Sequence, residues 1–368
     1  MPWHWPSFAS PQLDWLQVEI STHCNAACLY CPRTLYAAHW RNRLMSLEDF
    51  RRLAPVLRAT RLVYLQGWGE PLTHPDFFTF ARLAKACGCQ VGTTTNGMLL
   101  SEEGCRRLIE AEIDVVGFSL AGTVAAENDR IRRGTSLQQA LACIETLNRL
   151  KAQLGADKPA VHVAYLLLRS GLAAVEALPA LLAPLGVDQV VISTLDLIAR
   201  QALTVEALAP ASLEEHAALR QRLDALIAAG REQGLPIHDW LAEPQGQRSV
   251  GSAEGTAPQA ACTENVCKAA FVAVDGGVSP CVYANLPLAG GAIHWVGGGN
   301  GISGISATAT PLRPIVFGNL QRQSFAAVWR SRAYAAFRRA HQRGRPPEQC
   351  QGCVRLRARS VEKAGVVW

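Results

Sequence analysis

Cys24-Asn25-Ala26-Ala27-Cys28-Leu29-Tyr30-Cys31 follows an apolar, strand-like run over residues 13–21. Three cysteines spaced C-x3-C-x2-C on so short a loop can fold round a compact iron–sulfur cube, whose ligands are thiolates. Four thiolates would close such a cube. Three leave one iron free to take a substrate or cofactor, as open catalytic metal sites do and closed structural sites do not. The competing readings are a chance grouping and a zinc loop completed by His23.

Composition narrows the setting. A chain of 368 residues suits one large domain plus a smaller one. Hydrophobic residues at 49% with 18% charged are ordinary for a globular core and exclude wholesale disorder. No apolar run reaches bilayer-spanning length; the most apolar stretch, 171–187, is broken by Glu176, Pro179 and Pro184. Met1-Pro2-Trp3-His4-Trp5-Pro6 has neither a basic nor an apolar signal region, so the expected location is the cytoplasm, with no membrane partner. Twelve cysteines there indicate metal or redox chemistry rather than a disulfide framework. Eight fall in two groups, over residues 24–31 and 262–353, whereas Cys87, Cys89, Cys105 and Cys143 read as small apolar core residues. The net charge of +6 comes largely from C-terminal arginines. That patch would suit an acidic peptide, but a solvated helix face and tail is the simpler reading, and a nucleic acid is not expected as a partner.

Apolar runs alternate with amphipathic segments. Strands are predicted at 13–21, 61–66, 90–95, 115–120, 160–168 and 189–193, and helices at 46–58, 76–86, 101–111, 136–154, 175–185 and 212–232. Ser46 with Asp49, and Ser101 with Glu102 and Glu103, mark helix starts. Six strand–helix alternations imply a parallel sheet with right-handed crossovers, either an open doubly wound sheet or a partial barrel. In both, ligands gather at the carboxyl ends of the strands, where the cysteine loop lies. Residues 245–259 read as a linker, and 288–310 as a long functional loop.

Three more strand ends carry polar motifs. Gly67-Trp68-Gly69-Glu70-Pro71 offers close backbone approach and a carboxylate for an ammonium group. Thr95-Asn96-Gly97 offers a hydroxyl and an amide, and Ser119 a hydroxyl. Asn128-Asp129-Arg130-Ile131-Arg132-Arg133 adds guanidinium groups. In this order, over roughly residues 13–200, these motifs resemble those of the radical S-adenosylmethionine (SAM) superfamily. The resemblance implies an α/β fold, a partial (β/α)6 TIM-like barrel over residues 1–240. It implies a [4Fe–4S] cluster on Cys24, Cys28 and Cys31. It also implies SAM held by Gly67, Gly69, Glu70, Thr95, Asn96, Ser119 and Arg132, with Arg133 the alternative to Arg132. Trp68 interrupts the family's usual glycine pair, and Ala121 replaces the usual aspartate after the serine.

Cys267, Cys281, Cys350 and Cys353 supply four further thiolates, with Cys262 an alternative ligand or a spare. A zinc ribbon favours two C-x2-C knuckles and only one is present. With Asp275-Gly276-Gly277, a turn between two predicted short strands at 271–274 and 278–280, and with Phe317-Gly318-Asn319-Leu320, this region is similar to the SPASM/twitch extension of radical SAM enzymes. A small cysteine-rich domain over residues 241–368 with one auxiliary [4Fe–4S] cluster is expected, the full two-cluster form needing more cysteines than remain.

The resemblance implies an oxidoreductase that makes a 5′-deoxyadenosyl radical and abstracts hydrogen from a substrate. Oxidative maturation of a peptide or protein is the first expectation, although no leader-binding domain is expected before Leu13. Val282 beside Cys281 argues against sulfatase maturation, where an aspartate base is used. The alternative is oxidation or rearrangement of a small molecule or metal-cofactor precursor. An electron carrier without SAM chemistry is the third reading, opposed by intact Cys24, Cys28, Cys31 and Glu70. An electron donor such as a flavodoxin or ferredoxin is implied. No catalytic side chain is assigned.

Overall fold

Leu13–Val18 (β1), Thr60–Leu65 (β2), Gln90–Thr95 (β3), Val115–Leu120 (β4), Ala160–Leu167 (β5) and Gln189–Thr194 (β6) pair in that order, all parallel. The structure, a computed structural model, describes residues 11–195, 198, 200–208, 210, 212–241, 260–289, 293–296, 309–312, 314–350, 353 and 355–358. A further strand, Ile237–Asp239 (β7), pairs parallel with β6 and was too short to stand out in the sequence. The linker at 245–259 lies outside the described residues.

Alternation along each strand makes two faces. On β5, Val161, Val163, Tyr165 and Leu167 are buried, and the intervening Ala160, His162, Ala164 and Leu166 are half-buried. The buried set joins Leu16, Val18, Val63, Leu65, Val116 and Phe118 in one core. The first helices are Pro32–Leu35 (α1), Leu47–Arg51 (α2), Ala54–Leu57 (α3), Phe77–Ala86 (α4), Glu102–Glu110 (α5), Ala125–Ile131 (α6), Leu137–Leu154 (α7), Leu178–Leu182 (α8) and Leu213–Glu232 (α9). Their apolar stripes, among them Phe77 and Phe80 of α4, Ile144 and Leu147 of α7 and Leu223 of α9, cover that face. The other face is polar at Gln17, Glu19, Thr94 and Ser119, which is what a ligand-lined barrel interior requires.

Several segments differ from the sequence expectation. The helix at 46–58 is two pieces, α2 and α3, because Pro55 has no N–H for the Arg51 carbonyl and sits in the first turn of a new helix. Its start is capped as expected, with Asp49 N–H donating to Ser46 Oγ (3.0 Å). Over 175–185 only α8 is α-helical, flanked by 3-10 turns, with Pro179 and Pro184 limiting it. Helix α6 was not anticipated.

The C-terminal region continues the barrel sheet. After Ala260–Cys262 (β8), strand Ala269–Val272 (β9) pairs parallel with β1, with Trp15 opposite Ala269 and Val18 opposite Val272. Gly277–Ser279 (β10) turns back antiparallel on β9 through Gly276, whose φ of 80 suits glycine. The segment read as one long loop at 288–310 contains Ile293–Val296 (β11), which pairs antiparallel with Ala309–Leu312 (β12). Gly318–Asn319 (β13) pairs with β10. Helices Phe325–Arg330 (α10) and Arg332–Gln342 (α11) follow, and Leu356–Ala358 (β14) closes on β8. Among the described residues the main sheet is ten-stranded, in the order β13-β10-β9-β1-β2-β3-β4-β5-β6-β7. Both cysteine groups therefore flank β1.

Candidate SAM and iron–sulfur sites

Cys24, Cys28 and Cys31 occupy the loop between β1 and α1, with Cys31 at the N-cap of α1. The loop is held by its backbone. Ala27 N–H donates to the Arg133 carbonyl (2.7 Å) and Leu29 N–H to the Ile131 carbonyl (2.9 Å), so the segment after α6 forms one wall. Gly134, with φ of 82, sits against the Asn25 carbonyl, where a side chain would crowd the loop. Burial raises the Cys24 thiol and pushes that of Cys31 up to about 12, helped by the other thiolates. Iron uptake must therefore displace protons from these thiols.

Glu70 is buried, and both its carboxylate oxygens accept hydrogen bonds while Oε2 keeps a free lone pair. Oε1 accepts from Thr95 Oγ1 (2.7 Å) and Leu72 N–H (3.3 Å), and Oε2 from Asn96 N–H (2.8 Å). Desolvation raises its pKa against those bonds and the Arg132 charge. Thr95 and Asn96, read in the sequence as ligand contacts, thus orient Glu70. Asn96 Nδ2 also donates to Asn25 Oδ1 (2.8 Å), tying β3 to the cysteine loop. Gly69 packs on the backbone of Ser21–His23 and Gly67 on the Glu19 side chain, and a Cβ at either would overlap them. Ser119 is half-buried near the end of β4.

Arg132 is buried and its Nη1 donates to the Tyr30 hydroxyl. Tyr30, Cys28, Cys24 and Glu70 are the titratable groups beside it, and its Nε is buried without a hydrogen-bond partner. A buried guanidinium nitrogen with no acceptor, beside two thiols and a carboxylate, fits a bound carboxylate and a thiolate-ligated cluster. Of the two candidate arginines, Arg132 is the one turned into this group. The sequence reading missed Tyr30 and Asn25, although their place between the cysteines was the available signal.

The second cysteine group divides. Pairing of β8 with β14 sets Cys262 opposite Leu356, whose N–H donates to the Cys353 carbonyl (2.9 Å). Cys353 N–H in turn donates to the Cys350 carbonyl (3.1 Å). The Cys262 thiol is raised by burial, then by Glu264, Cys353 and Cys350, and that of Cys281 by burial, then by Glu264, Cys262 and Cys353. Cys262, Cys281, Cys350 and Cys353 are electrostatic neighbours. The Cys267 thiol lies against the Arg338 carbonyl (3.7 Å), and burial raises its pKa with the Arg338 charge opposing. Among the described residues no three candidate ligands converge closely enough for a single metal ion, whereas a four-iron cube spreads its thiolates more widely. Cys89, Cys105 and Cys143 are buried in the core as expected, and Cys87 packs against it half-buried.

Residues 18–153 match the model of the radical SAM superfamily, and residues 262–354 that of an iron–sulfur cluster-binding domain, SPASM. A tungsten-containing aldehyde ferredoxin oxidoreductase cofactor-modifying protein of Pyrococcus furiosus is 27% identical over 170 residues, 43% of this chain and 44% of that one. Mycofactocin maturase MftC of Mycobacterium ulcerans is 30% identical over 131 residues, 35% of each chain. The chain thus spans less than half the length of these curated relatives. Streptococcus suis SuiB bound to S-adenosylmethionine superposes with a TM-score of 0.62 at 14% identity, over 90% of this chain and 68% of that one. The enzyme anSMEcpe with bound AdoMet gives 0.62 at 16% identity, over 93% and 88%. These likenesses are of fold.

Proposed function

The chain belongs to the radical SAM superfamily and carries a C-terminal SPASM domain, and on that premise we propose that it cleaves SAM reductively to oxidise a peptide or protein substrate. When bound, a reduced [4Fe–4S] cluster and SAM supply a 5′-deoxyadenosyl radical that takes hydrogen from a substrate carbon. Cys24, Cys28 and Cys31 would hold that cluster through three thiolates. Glu70, oriented by Thr95 and Asn96 N–H, would accept from the SAM ammonium, and Arg132, oriented by Tyr30, would pair with its carboxylate. Gly67 and Gly69 let the backbone approach, and Ser119 lies at the next strand end. The observation that carries this reading is the buried, acceptor-less Arg132 Nε, in a side chain that has the Cys24 and Cys28 thiols and Glu70 as neighbours.

For the auxiliary [4Fe–4S] cluster the geometry favours Cys262, Cys281, Cys350 and Cys353, in place of the set with Cys267 drawn from spacing alone. β8–β14 pairing and the shared electrostatic neighbourhood support this choice. A fold neighbour supports the peptide class, since SuiB has been crystallised bound to precursor peptide SuiA. An electron donor of the flavodoxin or ferredoxin type completes the scheme. No described helix is long and apolar enough to cross a membrane, in keeping with action in the cytoplasm.

A second reading, modification of a small molecule or metal-cofactor precursor, draws on the similarity to the Pyrococcus protein. Anaerobic reconstitution tests the shared premise: about eight irons per chain are expected, with 5′-deoxyadenosine released under strong reductant. Four irons would eliminate the auxiliary cluster, and no 5′-deoxyadenosine would overturn SAM cleavage. Mass spectrometry of peptides encoded beside the gene then separates the readings, the first requiring loss of two hydrogens from one of them.

A further inference from the structure

One residue ties the motif after the second strand to the segment that follows Cys281. Trp68 stands two residues before Glu70, and its backbone N–H donates to Glu19 Oε1 (2.8 Å). Its indole Nε1 donates to the carbonyls of Val282 (3.2 Å) and Asn285 (3.1 Å), in the segment that begins at Cys281. The indole ring meets Tyr283 edge-on at 5.9 Å. Tyr283 in turn lies 4.8 Å beneath the Arg355 guanidinium and accepts a hydrogen bond from it. Arg355 Nε is 3.5 Å from Glu264, two residues past Cys262.

The surroundings hold this arrangement from the other side. Trp40 and Leu286 form a small apolar cluster with Tyr36, Trp68 and Leu288, separate from the main core. Trp40 pairs with Leu288, Arg41 N–H donates to the Pro287 carbonyl (2.8 Å), and Ala289 N–H to the His39 carbonyl (2.7 Å). Residues 282–289 are thus strapped to the stretch just after the first cysteine loop. Gly67 and Gly69, packed on Glu19 and on Ser21–His23 with no space for a Cβ, fix the backbone on either side of Trp68.

We propose that Trp68 is a positioning residue that sets the separation of the SAM-binding loop and the auxiliary-cluster loop. The inference rests on the reading above that both loops hold cofactors. It needs no contact between Trp68 and either. Moving the indole shifts the 282–285 carbonyls, and with them Cys281, against Glu70 and Cys24–Cys31. A tryptophan at the place where the family's motif has glycine thereby gains a physical role.

Trp68→Phe keeps an aromatic ring but removes the indole N–H together with the rest of the five-membered ring, and Tyr283→Leu loosens the same contact from the other side. Both are made in the full chain, anaerobically loaded with iron. Hydrogen exchange of the Ala284, Asn285 and Ala289 amides should rise about three- to tenfold in either variant, with β1 to β6 unchanged. Electron paramagnetic resonance of the fully reduced variants should show altered spin–spin broadening at unchanged iron content, because that coupling depends on cluster separation. Unchanged exchange at 284–289, or a rise spread equally over β1 to β6, would overturn the proposal. If the parent chain holds one cluster only, the resonance arm fails with the functional reading, and the exchange arm still decides whether Trp68 pins the segment.

Discussion

Glu19 offers a test of the junction that does not depend on turnover. It is wholly buried just past β1, with one oxygen accepting from Trp68 N–H and the other near the Val274 N–H without a well-formed hydrogen bond. Desolvation raises its carboxyl from 4.5 to about 7, with backbone donation from Trp68 and Val274 opposing and the Asp275 charge assisting. The folded state therefore favours the neutral acid. Its contribution to stability is fully present below the unfolded value and is lost as pH rises through about 7. A shift of this size corresponds to about 3 kcal/mol. Glu19→Gln stays neutral at every pH and keeps a carbonyl for the Trp68 N–H. Urea unfolding of parent and variant, matched in iron content and followed from pH 5 to pH 8, should show the parent losing about 3 kcal/mol relative to the variant across that range. A difference that stays flat within about 1 kcal/mol would refute a neutral buried Glu19.

Other outcomes follow from the two sites. Replacing Cys24, Cys28 and Cys31 together with alanine should abolish reductive SAM cleavage and leave about four irons per chain with a visible cluster spectrum, checked by iron analysis and absorbance. Cys262→Ala should lose the auxiliary cluster while Cys267→Ala retains it, and the opposite pattern would restore the assignment based on spacing. Glu70→Gln should weaken SAM binding by roughly tenfold or more, because a hydrogen bond to a charged group is removed, and equilibrium dialysis of the reconstituted protein measures it.

The barrel and its first site were largely legible because their signals are local. Each of β1 to β6 announces itself by an apolar run, and each polar motif lies directly after its strand, so order in sequence maps onto position round the barrel. Cysteine spacing on one loop needs no tertiary knowledge. Where prolines interrupt a helical pattern, at Pro55 and Pro179, the local rule was present but outweighed in reading by the longer periodicity.

The amino-acid sequence by itself determined the chemistry available: three thiolates on a short loop, a carboxylate after the second strand, and a second set of cysteines. Only the tertiary structure decided how these face one another. That β9 adds beside β1, that Thr95 and Asn96 bond Glu70, and that Cys262 adjoins Cys350 and Cys353 all depend on contacts between segments far apart in the chain. Spacing constrains residues that share a loop, and says little once a strand pairing intervenes. For the same reason Trp68 read as a gap in a glycine motif, and its docking on Val282 and Asn285 emerged only once the fold had brought them together.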